Sequence, residues 1–250
     1  MCNYLREVIV SDKSSGMPEI DCIYLINLDQ RPDRLKRIHD QFDPYNLSIN
    51  RVSAVNGWEL PEKALLELGG PYGIHMGRGH FGCMLSHLSI LKHALEKGYE
   101  TIWVLEDDAT ILKDLSVIPE IVDSLNRLDP AWDVFFTDRD YRSPKGGYIR
   151  ALATNARPDQ PIHPLSYYTG RTKISRDLER IHNRYATTSM LISKRGIKKL
   201  FEYFTHVYIW QPIDIDMHYI SELREYVPIR NDIVSNSLRI DSNVSQPPNP

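Results

Sequence analysis

The stretch TIWVLEDDATIL, residues 101–112, sets Glu106, Asp107 and Asp108 at the end of an otherwise apolar run. Carboxylates at the end of a buried strand lose hydration, so they must be solvated, paired with bases or neutralised by a cation. A divalent ion meets that need, and hard oxygen ligands suit Mg²⁺ or Mn²⁺, which complete their shells with phosphate oxygens and water. Alternate side chains of a strand share a face, which makes Glu106 and Asp108 the candidate ligand pair. Asp107 then turns away or is hydrogen-bonded in the turn. The competing reading is that the triplet caps the next segment or pairs with arginine and lysine. Spacing does not choose, because TDRD (Asp138, Asp140) and PIDID (Asp214, Asp216) also offer carboxylates two positions apart.

Such residues need a scaffold. CIYLINL (22–28) reads as a first strand, and DQRPDRLKRIHDQF as a helix opened by Pro32 near its first turn. NRVSAVNG reads as a second strand ending in an Asn-Gly turn. FGCMLSHLSILKHALEKG then spaces Met84, Leu88, Leu91 and Leu95 helically, with Gly98 as its stop. The strand TIWVLE, a helix from about Ile118 to Leu128, the strands WDVFFTD and TTSMLIS and the helix KRGIKKLFEYF complete the pattern. Strands alternating with helices predict an α/β sheet with helices on both faces, and ligands of such sheets bind beyond the carboxyl ends of parallel strands. From Asp138 to Tyr185 the periodicity dissolves into Gly, Pro, Arg, Lys and Tyr, the composition of a loop or lid. We expect one domain over 1–240, with 139–185 as its acceptor-side loop, and a flexible Pro-rich tail over 241–250.

The 250 residues are 42% hydrophobic and 25% charged, with a formal charge of −3. That is an ordinary globular composition, and its balance excludes a protein built around non-specific nucleic-acid binding. Cys2, Cys22 and Cys83 are too few and too far apart for a disulfide framework or a zinc motif and read as incidental thiols. The first residues lack the apolar core of a secretory signal and no run is long enough to span a bilayer, so a cytoplasmic location is expected.

YLINLDQRPDRL, RVSAVNG, GCMLSHLSILK, WVLEDDATI, WDVFF and MLISKRGIKKL follow one another in the order found in glycosyltransferase family 25, and the chain resembles that family over roughly residues 22–218. The family includes lipopolysaccharide-type glycosyltransferases and collagen galactosyltransferases. The resemblance implies an A-type glycosyltransferase fold, a Rossmann-like mixed sheet with helices on both faces. It also implies a nucleotide-sugar donor, commonly UDP-galactose, transfer with inversion, and a glycan or lipooligosaccharide-like acceptor. It puts Glu106 and Asp108 on the acidic motif that holds metal and donor diphosphate. Asn27, Arg31 and Arg34 fall on the opening motif beside the nucleotide, and Gly82, Ser86 and His87 on the helix block near the donor. Asp107 is counted with these donor-side contacts. The chain departs from the family in GRGHFGC, before that block, and in 139–185, which has no alignable counterpart.

Transfer from a nucleotide sugar needs the leaving diphosphate stabilised, the acceptor hydroxyl oriented and a base for its proton. Asp214, just after Pro212, is the candidate base, with Asp216 as second catalytic candidate; the plain alternative is an aspartate at a helix start. His87, at helical spacing with Met84 and Leu91, also reads as a packed helix histidine. Arg31 and Arg34 also read as solvated arginines, and Asn27 and Gly82 as turn and close-packing residues. Tyr141, Tyr148, Tyr167 and Tyr168, interleaved with Arg142, Lys145, Arg150 and Arg171, suit a wall for sugar or phosphate, and equally a solvated loop. The same segment suits peripheral contact with an anionic membrane surface. Two rival functions stand beside transfer. One is a haloacid dehalogenase-type phosphohydrolase, mimicked by Glu106, Asp108 and Thr110 but with Glu in place of the nucleophilic Asp. The other is a non-catalytic nucleotide-sugar-binding protein.

Overall fold

The computed structural model describes residues 1–250 except 74–75, 139, 152–156, 158–162, 207, 230–232, 237–241, 245–246 and 248–250, and the side chains of 71–73 and 236. In chain order its elements are β1 (Cys22–Asn27), α1 (Pro32–Phe42), β2 (Ile49–Ser53), α2 (Glu62–Gly73), α3 (Arg78–Lys97), β3 (Thr101–Glu106), β4 (Ala109–Ile111), α4 (Val117–Leu128) and β5 (Val134–Phe136). There follow α5 (Leu165–Thr169), β6 (Thr172–Lys173), β7 (Leu178–Ile181), β8 (Ser189–Ser193), α6 (Lys194–Thr205), α7 (Ile213–Asp216), β9 (Glu225–Pro228) and β10 (Val234–Asn236).

Eight strands form one mixed sheet in the order β2-β1-β3-β8-β5-β9-β7-β6, and β4 pairs with β10 in a two-stranded ribbon. β1 lies parallel to both β2 and β3; β8 runs antiparallel between β3 and β5, and β9 is parallel to β5. β1, β2, β3, β5 and β9 therefore point the same way and deliver their carboxyl ends to one edge. This is the Rossmann-like mixed sheet that the family resemblance implies.

The strands are apolar throughout because both faces are covered. Along β1, Cys22, Tyr24 and Ile26 pack with Met84, Leu88 and Phe204 under α3 and α6, while Ile23 and Leu25 pack with Ile38, Phe42 and Val122 under α1 and α4. Pro32 opens α1, as expected. α3 ends on Gly98, whose φ of 70° lies in the left-handed region that glycine enters without steric cost. The helix at 194–205 is capped by the Ser193 hydroxyl, which accepts from the Gly196 N–H at 3.2 Å.

Three features differ from the sequence reading. The segment 139–185 is not wholly irregular: β7 pairs with β9 over Leu178–Ile181, and α5 precedes it. TTSMLIS is a strand as expected, and it runs antiparallel to both of its neighbours, β3 and β5. α2, β4, β9 and β10 have no counterpart in the sequence reading. Much of 241–250, expected to be a flexible tail, lies outside the described residues; Ser242, Asn243 and Val244 are described and lie in the cleft. Among the described residues no helix is long and apolar enough to cross a membrane.

Candidate functional site

Beyond the carboxyl ends of β1 and β3 the chain leaves a cleft with two adjoining compartments, which share Cys83, Glu106, Asp108, Ser242 and Val244 as walls. The first compartment is completed chiefly by Arg34, Asn56, Trp58, Ser86, His87 and Asp107. The second is completed chiefly by His80, Tyr141, Tyr185, Thr187, Pro212 and Asp214.

Glu106 is the last residue of β3, while Asp107 and Asp108 occupy the turn before β4. The turn leaves Glu106 and Asp108 facing both compartments and hands Asp107 to the opening helix. The Arg34 guanidinium donates to Asp107 Oδ1 at 2.7 Å and the Asn27 amide to Oδ2 at 2.8 Å. One helical turn on, Arg37 donates to the Asp107 carbonyl at 2.6 Å. Burial raises the Asp107 carboxyl above its usual range, although Arg34 and Asn27 oppose the rise. Asn27 and Arg34 thus grip the acid turn, and Arg34 also lines the first compartment. Arg31 pairs with Asp33 at 2.8 Å and donates to the Asn243 side chain at 2.8 Å. Arg37 carried no signal in the sequence beyond its spacing from Arg34.

Glu106 accepts from Thr187 Oγ1 at 2.7 Å and meets His87 Nε2 at 3.1 Å, both on Oε1. Burial pushes this carboxyl up, but the His87 and Thr187 contacts and the Arg34 charge outweigh it and leave it below the usual carboxylate range. Thr187 went unnoticed because its partner is 81 residues away in sequence. It is presented by a loop in which Ala186 adopts a left-handed φ of 74°. Ala186 in turn donates its N–H to Asp214 Oδ2 at 3.0 Å.

Asp214 lies at the start of the four-residue α7 and faces the second compartment with Glu106 and Asp108. Burial raises its carboxyl above the usual value, the Glu106 charge adds to that, and the Ala186 N–H and the charge of His218 hold it back. Asp216, two positions along a helix rather than a strand, points elsewhere. Its side chain is 0% exposed, Arg157 binds it at 2.7 to 3.0 Å through two nitrogens, and Tyr203 donates at 3.1 Å. The same device disposes of the other rival pair: Arg184 binds Asp138 at 2.6 Å and Arg171 binds Asp140.

Gly82 is a packing residue. A Cβ built on it would lie 2.4 Å from the Val55 carbonyl oxygen and 2.5 Å from the Gly57 nitrogen. Its absence lets the loop after β2 close on α3. Ser86 secures that contact, accepting from the Val55 N–H at 2.9 Å and donating to the Gly82 carbonyl at 2.7 Å, and it lines the first compartment.

Of the aromatic wall expected in 139–185, Tyr141 reaches the second compartment and is joined by Tyr185. Tyr148 lies under the Arg142 and Arg171 guanidiniums, 4.5 and 3.3 Å from its centroid. Tyr167 and Tyr168 pack with His163, His182 and Tyr219 away from the cleft lining. Lys145 and Arg150 do not line it either.

Glu106 and Asp108 both line the cleft and offer carboxylate oxygens, the donor type of a hard divalent cation, while Arg34 and Asn27 hold the Asp107 carboxylate. The cysteines are free thiols, with Cys2 exposed, Cys22 buried and Cys83 half-buried at the cleft.

The model of glycosyltransferase family 25 (LPS biosynthesis protein) matches residues 20–218. The chain is 28% identical to procollagen galactosyltransferase 1-B of Xenopus laevis over 249 residues, covering 90% of this chain and 36% of that protein. It is 27% identical over 159 residues to the human protein named inactive glycosyltransferase 25 family member 3, covering 60% of this chain and 26% of that one. The chain thus spans about a quarter to a third of the length of these relatives. Among solved structures, A197 from STIV aligns at 10% identity with a TM-score of 0.40, covering 82% of this chain and 80% of that one.

Proposed function

The chain belongs to glycosyltransferase family 25, and from that premise we propose that it transfers a hexose, galactose first among them, from a UDP-sugar to a hydroxyl of a glycan or glycolipid acceptor with inversion. The observation that carries the reading is the convergence of Glu106, Asp108 and Asp214 on one cavity from two separate elements. Glu106 and Asp108 would hold Mn²⁺ or Mg²⁺, which when bound neutralises charge on the leaving diphosphate. Family membership leaves the phosphohydrolase alternative without support.

The residues divide the work between the compartments. The first suits the nucleotide: Trp58 offers an aromatic surface, Asn56 an amide, and Arg34 a cation near the acid turn. His87 and Thr187 hold the Glu106 carboxylate in one orientation, so no reorganisation is needed when the donor arrives. The second suits the acceptor. Tyr141 and Tyr185 can cover an apolar sugar face, and Asp214 can take the hydroxyl proton as the oxygen attacks the anomeric carbon opposite the leaving group. Its raised pKa makes it a stronger base than an ordinary aspartate.

Thermal unfolding with UDP, GDP and CMP sugars, with and without Mn²⁺, tests this. One nucleotide should stabilise the protein only with the cation, by about 2.7 kcal/mol at a hundredfold excess over Kd. Absence of stabilisation by every pair overturns it. A donor-binding domain without turnover is the second reading, favoured by the inactive human relative. Donor binding with no sugar release or transfer across an acceptor panel selects it.

A further inference from the structure

We propose that Cys83, His87 and Glu106 form a site for a soft divalent cation of the zinc type, which competes with the Glu106–Asp108 pair for the Glu106 carboxylate. The thiol sulfur of Cys83, a ring nitrogen of His87 and a carboxylate oxygen of Glu106 all lie within 4.8 Å of one another. Cys83 and His87 stand one turn apart on α3 and so share a face, and Glu106 meets them from the end of β3.

Typical zinc bonds, about 2.3 Å to sulfur and about 2.0–2.2 Å to nitrogen and oxygen, place tetrahedral ligand atoms roughly 3.3–3.6 Å apart. The ligand atoms, all within 4.8 Å of one another, therefore lie within about 1 Å of that spacing. His87 Nε2 and Glu106 Oε1, 3.1 Å apart, stand slightly closer than that spacing and need only a small separation to admit an ion. Thr187 holds the same oxygen at 2.7 Å and keeps the carboxylate turned toward α3. Cys83 lines both compartments, which places the cluster at the wall of the cleft. Binding releases the thiol proton to solvent and leaves the fourth position to water.

Ligand type separates this site from the pair beside it. Thiolate and imidazole select zinc-type ions, whereas carboxylates and phosphate oxygens suit Mg²⁺ and Mn²⁺. Glu106 belongs to both sets, so an ion held by Cys83 and His87 withdraws it from Asp108. This competition rests on the proposed function; the soft site itself does not.

Titration of the full chain with Co²⁺ tests the site by absorption. One equivalent should raise the near-ultraviolet band of thiolate-to-cobalt charge transfer and the visible bands of a tetrahedral ion. Zn²⁺ should bleach them and excess Mg²⁺ should not. Cys83→Ser should abolish the charge-transfer band, and His87→Gln should weaken Co²⁺ binding tenfold or more. Cys2→Ser, Cys22→Ser and Asp108→Asn should retain the band. No band, or one surviving Cys83→Ser, overturns the proposal. In the unaltered protein Zn²⁺ should also slow alkylation of Cys83 at least tenfold, a readout free of any folding defect in the variants, and an unchanged alkylation rate equally overturns it. Zn²⁺ should lower Mn²⁺-dependent donor binding in the parent and not in Cys83→Ser; equal loss in both overturns the sharing of Glu106. If no donor binds at all, the proposed function fails while the cobalt spectrum still decides the site.

Discussion

The acids of this chain share a residue type and differ in what reaches them. Asp138, Asp140 and Asp216 are held inside the fold by ion pairs with Arg184, Arg171 and Arg157. Glu106, Asp108 and Asp214 line the cleft. If Asp214 is the base, Asp214→Asn should lower turnover by about 10² to 10⁴ with donor binding intact, measured at saturating substrates. Activity requires the deprotonated form, and burial raises the pKa. The acid limb of kcat/KM should therefore lie above the ordinary aspartate value and vanish in the variant. At the turn, Arg34→Ala leaves the Asp107 carboxylate buried without its partner. A loss of about 3–5 kcal/mol in urea unfolding is expected, with Arg34→Ala/Asp107→Asn recovering part of it.

Elements set how closely these residues approach. α3 carries Ser86, His87 and Cys83 to the cleft because Gly82 lets the loop after β2 lie against it. Gly82→Ala pushes a methyl group into the Val55 carbonyl and should destabilise the protein by about 1–3 kcal/mol. It should weaken donor binding as well, since Ser86 and the Asn56–Trp58 loop move apart; chemical denaturation and donor titration on the same variant check both. α1 reaches the site by the same logic of spacing: Arg34 and Arg37, nearly one turn apart, grip one side chain and one carbonyl of a single turn.

At the scale of the molecule, a buried polar chain joins the segment after α7, the start of β9 and the loop before β8. His218 Nδ1 meets Glu225 Oε2 at 2.9 Å, and its Nε2 faces the Arg184 backbone. Burial alone would lower the His218 pKa, but the Glu225 carboxylate and the Arg184 carbonyl raise it above the model-peptide value. A raised pKa means that the folded state holds the proton more tightly. The contribution is complete below about pH 6.5 and is lost as pH rises through the folded value. Unfolding free energy measured from pH 6 upward should therefore fall with pH in the parent and fall less in His218→Gln.

The helices at 32–42, 78–97 and 194–205 and the strands at 22–27 and 101–106 were legible because each is written in local terms: a period, a capping residue, a terminal glycine. So was the concentration of acid at the end of β3, since a charge after five buried residues is itself a local anomaly. The short strands β7, β9 and β10 were not legible, because strands of three or four residues exist through partners elsewhere in the chain. Neither was the antiparallel sense of β8. The choice among Glu106–Asp108, Asp138–Asp140 and Asp214–Asp216 lay beyond spacing for the same reason. Which carboxylates line the cleft and which are held inside the fold by an arginine depends on residues distant in sequence: Arg184 reaches Asp138 from 46 residues away and Arg157 reaches Asp216 from 59. The chain by itself determined which segments bury apolar surface and where charge accumulates. Tertiary structure alone decided which charges are matched, because pairing depends on distance in space and not on separation along the chain.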